Sequence, residues 1–473
     1  MPETMHELIR MTARQVVALL KAGEVTPDEL LDVVLARHAE VDGVINALPT
    51  ICEDRARAAI ADLSGDPDHP GWLAGLPLPI KDLTEVAGVR TTMGSPIFED
   101  YVPEASNIIV ETLERRGGVI FAKSNTPEFG AGGNTFNEVF GETVTPWDTT
   151  RTSGGSSGGA AAALASGQAW LSDGSDFGGS LRTPAAFCGV VGLRPSPGRV
   201  AYYPNNLPFW NLGIQGPMAR NVGDVALLLD AMSGRHPRDP LSQRSPMVPF
   251  QQAVDAPVAP LRVAFSPDLG LPPYNPEVQR ICAAAAQKFE DLGATVEEAC
   301  PDFSGTQEIF HALRAVQFAA KHGENLEKYR DKFKPDMIWN IEKVEEMSAA
   351  DYGRAEVARG KVVQSAVDFF ETYDVLLSPA TVVPPFDVKT RALMELNGHR
   401  FSNYMEWLAG VSAITLTSCP ALSLPCGVTD QGLPIGLQMV GPPRGEAALL
   451  GYAALLESTL GMTDRVPMDP VTP

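Results

Sequence analysis

The 473-residue chain reads as an α/β protein built around a substantially parallel sheet. Three observations carry that reading. From about residue 73 onward, short apolar runs alternate with helical patterns, the order that winds strands and crossover helices into a sheet. Residues are 44% hydrophobic and 20% charged, the balance of an ordinary globular chain. No run of about eighteen apolar residues occurs, so no membrane-spanning helix is expected.

Each element follows from its local pattern. Thr26-Pro27-Asp28-Glu29 offers a capping threonine, proline at the first helical position and glutamate at N3. Leu30, Val33 and Val34 then form one apolar face, and residues 1–70 are expected to be an N-terminal helical layer without chemistry. Residues 76–80 read as an extended segment ending at Lys81, and the helical pattern of 108–116 leads into a strand at 118–123. A helix of very small side chains at 160–165 can pack close to its neighbours. Residues 190–193, 263–265, 375–377 and 435–440 read as buried strands, and 447–456 closes as a helix. The stretch from about 305 to 373 is helical and charge-rich, and reads as a cap over an active site in preference to an outer helical layer. No repeat, low-complexity tract or long linker divides the chain. One domain over 1–473 is therefore expected, with its catalytic core at 71–200.

Lys+Arg number 37 against 58 Asp+Glu, a net charge of −21. That balance argues against nucleic acid, whose phosphates need cationic partners, and against anionic membranes. The start, Met1-Pro2-Glu3-Thr4-Met5-His6-Glu7, lacks the basic and apolar run of a signal peptide. The six cysteines (Cys52, Cys188, Cys282, Cys300, Cys419, Cys426) form no CxxC pair and suit free thiols in a reducing cytoplasm, with no structural metal.

The chemistry is concentrated in three segments: Pro79-Ile80-Lys81-Asp82, Gly154-Gly155-Ser156-Ser157-Gly158-Gly159 and Gly178-Gly179-Ser180-Leu181-Arg182. A flexible linker does not fit the glycine-serine run, which leads straight into an alanine-rich helix and a strand-like segment. A phosphate loop does not fit either: the GKS or GKT of a Walker loop and the acidic residue of a dinucleotide fold are both missing. A catalytic loop fits, because glycines just before a nucleophile let successive N–H groups converge on one point. No histidine lies between His69 and His236, so a Ser-His-Asp triad has no local support. The seven histidines look scattered and non-catalytic. Lys81 is the only member of the set able to act as a base, which leaves a serine activated by lysine, directly or through a second serine.

With those segments in view, the chain resembles the amidase signature enzymes. The resemblance runs through the glycine-serine run, then Gly174-Ser175-Asp176-Phe177-Gly178-Gly179-Ser180-Leu181-Arg182, then Pro184-Ala185-Ala186-Phe187-Cys188-Gly189-Val190-Val191-Gly192-Leu193-Arg194-Pro195. Gly75-Leu76-Pro77-Leu78-Pro79-Ile80-Lys81-Asp82 looks like the family's lysine segment. Pro420-Ala421-Leu422-Ser423-Leu424-Pro425 and Gly432-Leu433-Pro434-Ile435-Gly436-Leu437-Gln438 look like its C-terminal strands. The resemblance implies a central twisted mixed sheet of about eleven strands with helices on both faces and a helical cap region.

It further implies that Ser180 is the nucleophile, Ser156 a bridging serine after a cis peptide bond and Lys81 the base. The N–H groups of Phe177, Gly178, Gly179 and Ser180 would form the oxyanion hole. Ser157, Asp176 and Arg182 are expected in support, the last two as a buried ion pair fixing the loop. Gly132, Gly133 and Asn134 are expected near the substrate. Asp82 is read as holding the turn after Lys81, and Lys123 as structural or solvated. Because free lysine has a pKa near 10.4, Lys81 must be buried or placed near cations to serve as a base.

The implied activity is hydrolysis of amide C–N bonds through an acyl-enzyme, with no cofactor and no metal. Anilides and aryl carbamates are candidate substrates, and ester cleavage a side activity. Phe129, Phe177, Trp210 and Met405 are candidates for an aromatic-binding wall. The partners expected are a small-molecule amide or carbamate and water, not nucleic acid or membrane, with a homodimer left open. Two alternatives stand beside this: a glutaminase-type component of a tRNA-dependent amidotransferase, and an inactive binding scaffold on the same fold.

Overall fold

The computed structural model describes residues 4–271 and 273–473. Fifteen α-helices among the described residues are α1 (Met5–Arg10), α2 (Ala13–Ala22), α3 (Pro27–Ile45), α4 (Glu53–Ala61), α5 (Ile108–Arg115), α6 (Gly158–Ala165), α7 (Arg182–Cys188), α8 (Val222–Met232), α9 (Phe250–Asp255), α10 (Pro276–Asp291), α11 (Thr306–Tyr329), α12 (Pro335–Glu342), α13 (Ala349–Phe369), α14 (Ala409–Leu416) and α15 (Glu446–Leu460). Eleven strands make the two principal sheets: β1 (Thr50–Ile51), β2 (Pro77–Lys81), β3 (Val119–Ser124), β4 (Leu171–Asp176), β5 (Val191–Arg194), β6 (Ile214–Ala219), β7 (Arg262–Phe265), β8 (Thr295–Glu298), β9 (Val375–Pro379), β10 (Ala421–Val428) and β11 (Pro434–Val440). The α3 cap forms as its sequence dictates. Thr26 Oγ1 accepts the Glu29 N–H at 3.2 Å, and the Glu29 carboxylate accepts the Thr26 N–H at 2.7 Å.

The larger sheet has eight strands in the order β8-β7-β9-β11-β10-β5-β6-β4. It is mixed, but the substantially parallel sheet read from the alternation is not what forms. Only β7 pairs in parallel, with β8 and β9. The other five pairings are antiparallel. The reason is topological: β6 lies between β4 and β5, antiparallel to both, so the unit β4-α7-β5 never brings its own two strands together. A tight turn, with the Thr429 N–H donating to Leu433 O at 2.8 Å, likewise folds β10 back on β11 as a hairpin.

The strands expected to complete a single sheet of about eleven instead divide in two. β1, β3 and β2 form a separate three-stranded sheet, in that order, whose β2 edge lies along β4. The seam between the sheets is made by side chains: the Lys81 N–H donates to Asp173 Oδ1 at 2.6 Å, and Ser172 Oγ to Pro79 O at 3.4 Å. Residues 79 and 81 share one side of β2, and Pro79 has no N–H to offer a ladder there.

Helix α6 packs against α7, β3 and β4 with every residue buried. Its small side chains are needed for that approach. A Cβ on Gly159 would stand 2.3 Å from the Asn125 nitrogen and 2.6 Å from Ala47 O. Helices α11, α12 and α13 occupy the stretch between β8 and β9, and α11 runs past the C-terminal end of β4 where Phe177 meets Phe310 and Phe318. No helix among the described residues is long and apolar enough to cross a membrane.

Candidate active site

Three segments converge at the seam. Lys81 ends β2, Ser156 and Ser157 precede α6, and Ser180 stands in the turn between β4 and α7. Lys81 is completely buried, and its Nζ lies 2.8 Å from Ser156 Oγ, 2.8 Å from Ser157 Oγ and 3.1 Å from Ser175 Oγ. Burial pushes the Lys81 amine down to about 7, against the raising influence of the Asp173 and Asp176 charges. A neutral amine has two N–H donors and one lone pair, so three hydroxyls around it leave one able to donate back.

The surroundings remove Ser157 from that choice and leave two, Ser156 Oγ at 2.8 Å and Ser175 Oγ at 3.1 Å, of which Ser156 is the nearer. Ser157 Oγ donates to Ser175 O at 3.4 Å and accepts the Ser175 N–H at 3.3 Å. Ser156 Oγ has no hydrogen bond among the described residues except that with Lys81. The Gly155–Ser156 peptide bond is cis. Thr135 clamps this loop at two points: its Oγ1 donates to Gly154 O at 2.8 Å and accepts the Gly158 N–H at 3.1 Å.

The loop after β4 is organised by Asp176. Its carboxylate takes Nε and Nη2 of Arg182 at 3.1 and 2.9 Å, Nη1 of Arg194 at 3.4 Å, and the N–H groups of Gly179 and Leu181 at 3.0 and 3.1 Å. Burial would raise this carboxyl, but Arg182 and Arg194 outweigh it and hold Asp176 well below the usual carboxylate range. One expected oxyanion donor is thereby corrected: the Gly179 N–H points at Asp176 and is not free. Those of Phe177, Gly178 and Ser180 carry no hydrogen bond among the described residues. Ser180 is half-buried, its hydroxyl is also unbonded among them, and its carbonyl accepts the Ser157 N–H at 3.2 Å.

Ser156, Ser175 and Ser180 line one side of a cavity of about 320 Å³. Phe129 and Phe177, two of the expected aromatic candidates, line it as well. The other two do not: Met405 is buried and Trp210 partly buried, both in the apolar cluster under α11 and α13. Gly132, Gly133 and Asn134 also lie outside the lining. Asn134 Nδ2 donates instead to the carbonyls of Thr390 and Arg391, and its backbone abuts Gly155. Lys123 is not solvated. Fully buried, it donates to Thr84 O and Thr91 Oγ1 and pairs with Asp82 at 3.2 Å, while Asp82 also accepts the Thr92 hydroxyl and N–H.

Sequence reasoning missed Asp173 and Ser175, which reach the lysine across the seam, and the residues that α11 presents to the cavity. Arg314, Gln317, Phe318, Lys321 and His322 line it at the i, i+3, i+4, i+7, i+8 spacing of a single helical face. That spacing was the available signal. His322 packs against Phe129, ring centroids 4.4 Å apart, and burial pushes its imidazole down to about 3.

The family model described as Amidase matches residues 29–450. The chain is 34% identical to an acylamidase of Rhodococcus erythropolis, covering 98% of this chain and 99% of that one. It is 31% identical, over 98% and 99% of the two chains, to a glutamyl-tRNA(Gln) amidotransferase component of Sulfurihydrogenibium sp.. Among solved structures it is similar to a bacterial aryl acylamidase of the amidase signature family, with a TM-score of 0.89, 25% identity, and coverage of 98% and 99%. It is also similar to 6-aminohexanoate cyclic dimer hydrolase, with a TM-score of 0.87, 27% identity and the same coverage, 98% and 99%. The buried lysine among serines thus stands in a chain that belongs to the amidase signature family, enzymes that hydrolyse amide C–N bonds.

Proposed function

We propose that the protein cleaves amides carrying an aromatic group, aryl acylamides and aryl carbamates among them, through an acyl-enzyme on Ser180. The observation that carries this reading is the fully buried Lys81 amine, 2.8 Å from a Ser156 hydroxyl with no other partner among the described residues. Neutral Lys81 accepts the Ser156 proton as Ser156 accepts that of Ser180, and Ser180 Oγ bonds to the carbonyl carbon. The Ser180 hydroxyl turns towards Ser156 when a carbonyl fills the cavity, since catalytic hydrogen bonds commonly tighten only in the complex. The N–H groups of Phe177, Gly178 and Ser180 receive the oxyanion. The proton on Lys81 returns through Ser156 to the leaving nitrogen as the C–N bond breaks, and water enters by the same path to release the acid. Ser157 and Ser175 keep the amine aimed, and Asp176 with Arg182 holds the loop.

The aromatic preference rests on the walls of Phe129, Phe177 and Phe318. Small molecule and water are the only reactants this path requires, and a cytoplasmic setting suits the six free cysteines. The test is mass spectrometry of protein quenched during turnover of anilides, aryl carbamates, aliphatic amides and glutamine. An acyl adduct on Ser180, formed fastest from the aromatic substrates and absent in Ser180→Ala, is expected. No adduct at Ser180, or glutamine turnover only after partner proteins are added, overturns the reading.

A further inference from the structure

Arg314 is a buried cation in the cavity wall without an acidic partner. Only 3% of it is exposed, yet no carboxylate among the described residues lies within 4.0 Å of its guanidinium. Its Nε donates to Asn340 Oδ1 at 2.8 Å and its Nη2 to Tyr404 Oη at 3.1 Å. Both partners are neutral, and Nη1 has none among the described residues. The guanidinium carbon lies 4.1 Å from the Phe318 ring centroid and 5.3 Å from that of Phe177. The aromatic faces compensate part of the charge. They do not neutralise it, and buried charges ordinarily find an opposite one.

The neighbours on the same helical face tell a similar story. Lys321, seven residues on, also has no ion-pair partner among the described residues and stands 5.5 Å over the Tyr202 ring. Gln317, between them in the lining and 7% exposed, adds a neutral amide to the same face. The lining holds two carboxylates: Asp176, already engaged by Arg182 and Arg194, and Glu85, within 4.0 Å of neither Arg314 nor Lys321. The wall is therefore cationic in a chain whose net charge is −21.

We infer that the substrate itself supplies the missing charge: a carboxylate, held by Arg314, at the far end of a flat group lying against the aromatic wall that Phe177 and Phe318 form. This rests on the amide-hydrolase reading of the site and narrows its substrate to acidic aromatic amides. A guanidinium with an open nitrogen suits a carboxylate better than a neutral carbonyl, because the charge-assisted bond is about twice as strong. The Phe177 ring joins the two functions, since its own N–H faces the expected oxyanion while its ring supports Arg314.

Binding and chemistry are read separately. In Ser180→Ala protein, calorimetry compares para-acetamidobenzoate with para-acetamidobenzamide, and terephthalic acid monoanilide with benzanilide. These pairs differ only in the carboxylate, placed on the amine side or the acyl side. At least one carboxylate is expected to bind about tenfold or more tightly than its neutral partner. Adding Arg314→Gln should abolish that ratio, and Arg314→Lys should retain part of it. In the wild-type enzyme the preference should appear mainly in KM. Equal affinity within both pairs overturns the inference, and so does an Arg314→Gln variant that weakens both members of a pair alike. An intact binding preference without an acyl adduct on Ser180 overturns the proposed function and leaves the carboxylate site standing.

Discussion

Asp176 Oδ1 accepts the N–H of Gly179 at 3.0 Å, so the carboxylate at the end of β4 fixes the loop that holds Ser180. The same carboxylate is gripped from behind by Arg182 and Arg194, all three side chains being fully buried. An ion cluster here positions backbone donors, a task that needs rigidity more than it needs stability.

Asp176→Asn leaves two buried arginines short of their counter-charge. A loss of about 3–5 kcal/mol is expected, the usual cost of removing one partner from a buried pair. Urea unfolding measures it. A change below about 0.5 kcal/mol would show that the arginines are balanced elsewhere.

Gly179→Ala meets two obstacles. The residue has φ of +105°, and an added Cβ would stand 2.3 Å from Val411 Cγ2. The Phe177–Ser180 donors shift with it, and kcat is expected to fall by about a hundredfold or more. Adding Val411→Ala opens the space but leaves the backbone conformation, so full recovery in the double variant would refute this account.

The pH profile follows from Lys81. On the proposed path its neutral form is the base, and burial places the amine at about 7. Activity should be half-maximal near pH 7, about a tenth of maximal at pH 6 and close to its plateau by pH 8. Asp173 opposes that shift, since its charge favours protonated Lys81. Asp173→Asn keeps an acceptor for the Lys81 N–H but removes the charge, so the acid limb should move to lower pH by about one unit or less. Full activity at pH 5 in the wild type, or a limb moving upward in the variant, contradicts the assignment.

The three hydroxyls around Lys81 should separate in a kinetic series. Ser156→Ala interrupts proton transfer and should cost about a thousandfold or more in kcat, comparable with Lys81→Ala. Ser157→Ala removes a group whose proton is already given to Ser175 O, and should cost less, about tenfold to a hundredfold. Equal losses at 156 and 157 would mean that the amine uses both. Rates measured on one anilide suffice.

The reach of the sequence varies with how local each feature is. Lys81, Ser156 and Ser180 were legible because glycine runs and a strand terminus mark them in the chain itself. The cap of α3, the small-residue α6 and the helical run ending at Phe369 were legible for the same reason. Strand direction was not: a helix between β4 and β5 suggests a parallel neighbour, and nothing local announces that β6 inserts between them. Asp173 and Ser175 escaped because their partners lie on a different sheet, about ninety residues earlier for Lys81. The Gly179 N–H was read as an oxyanion donor because only the folded loop turns it towards Asp176. Trp210 and Met405 were candidates by residue type alone, and residue type does not distinguish cavity wall from core.

Lys81 ends a strand of one sheet, Ser180 follows a strand of the other, and Pro79 leaves the seam to side-chain contacts. On the proposed mechanism neither half carries chemistry by itself. A newly made or damaged copy with its sheets apart is a silent hydrolase, harmless to the amides around it. Hydrolysis regained after dilution from denaturant is therefore expected to lag the circular-dichroism signal, and the two recovering together would show that the sheets form and meet in one step.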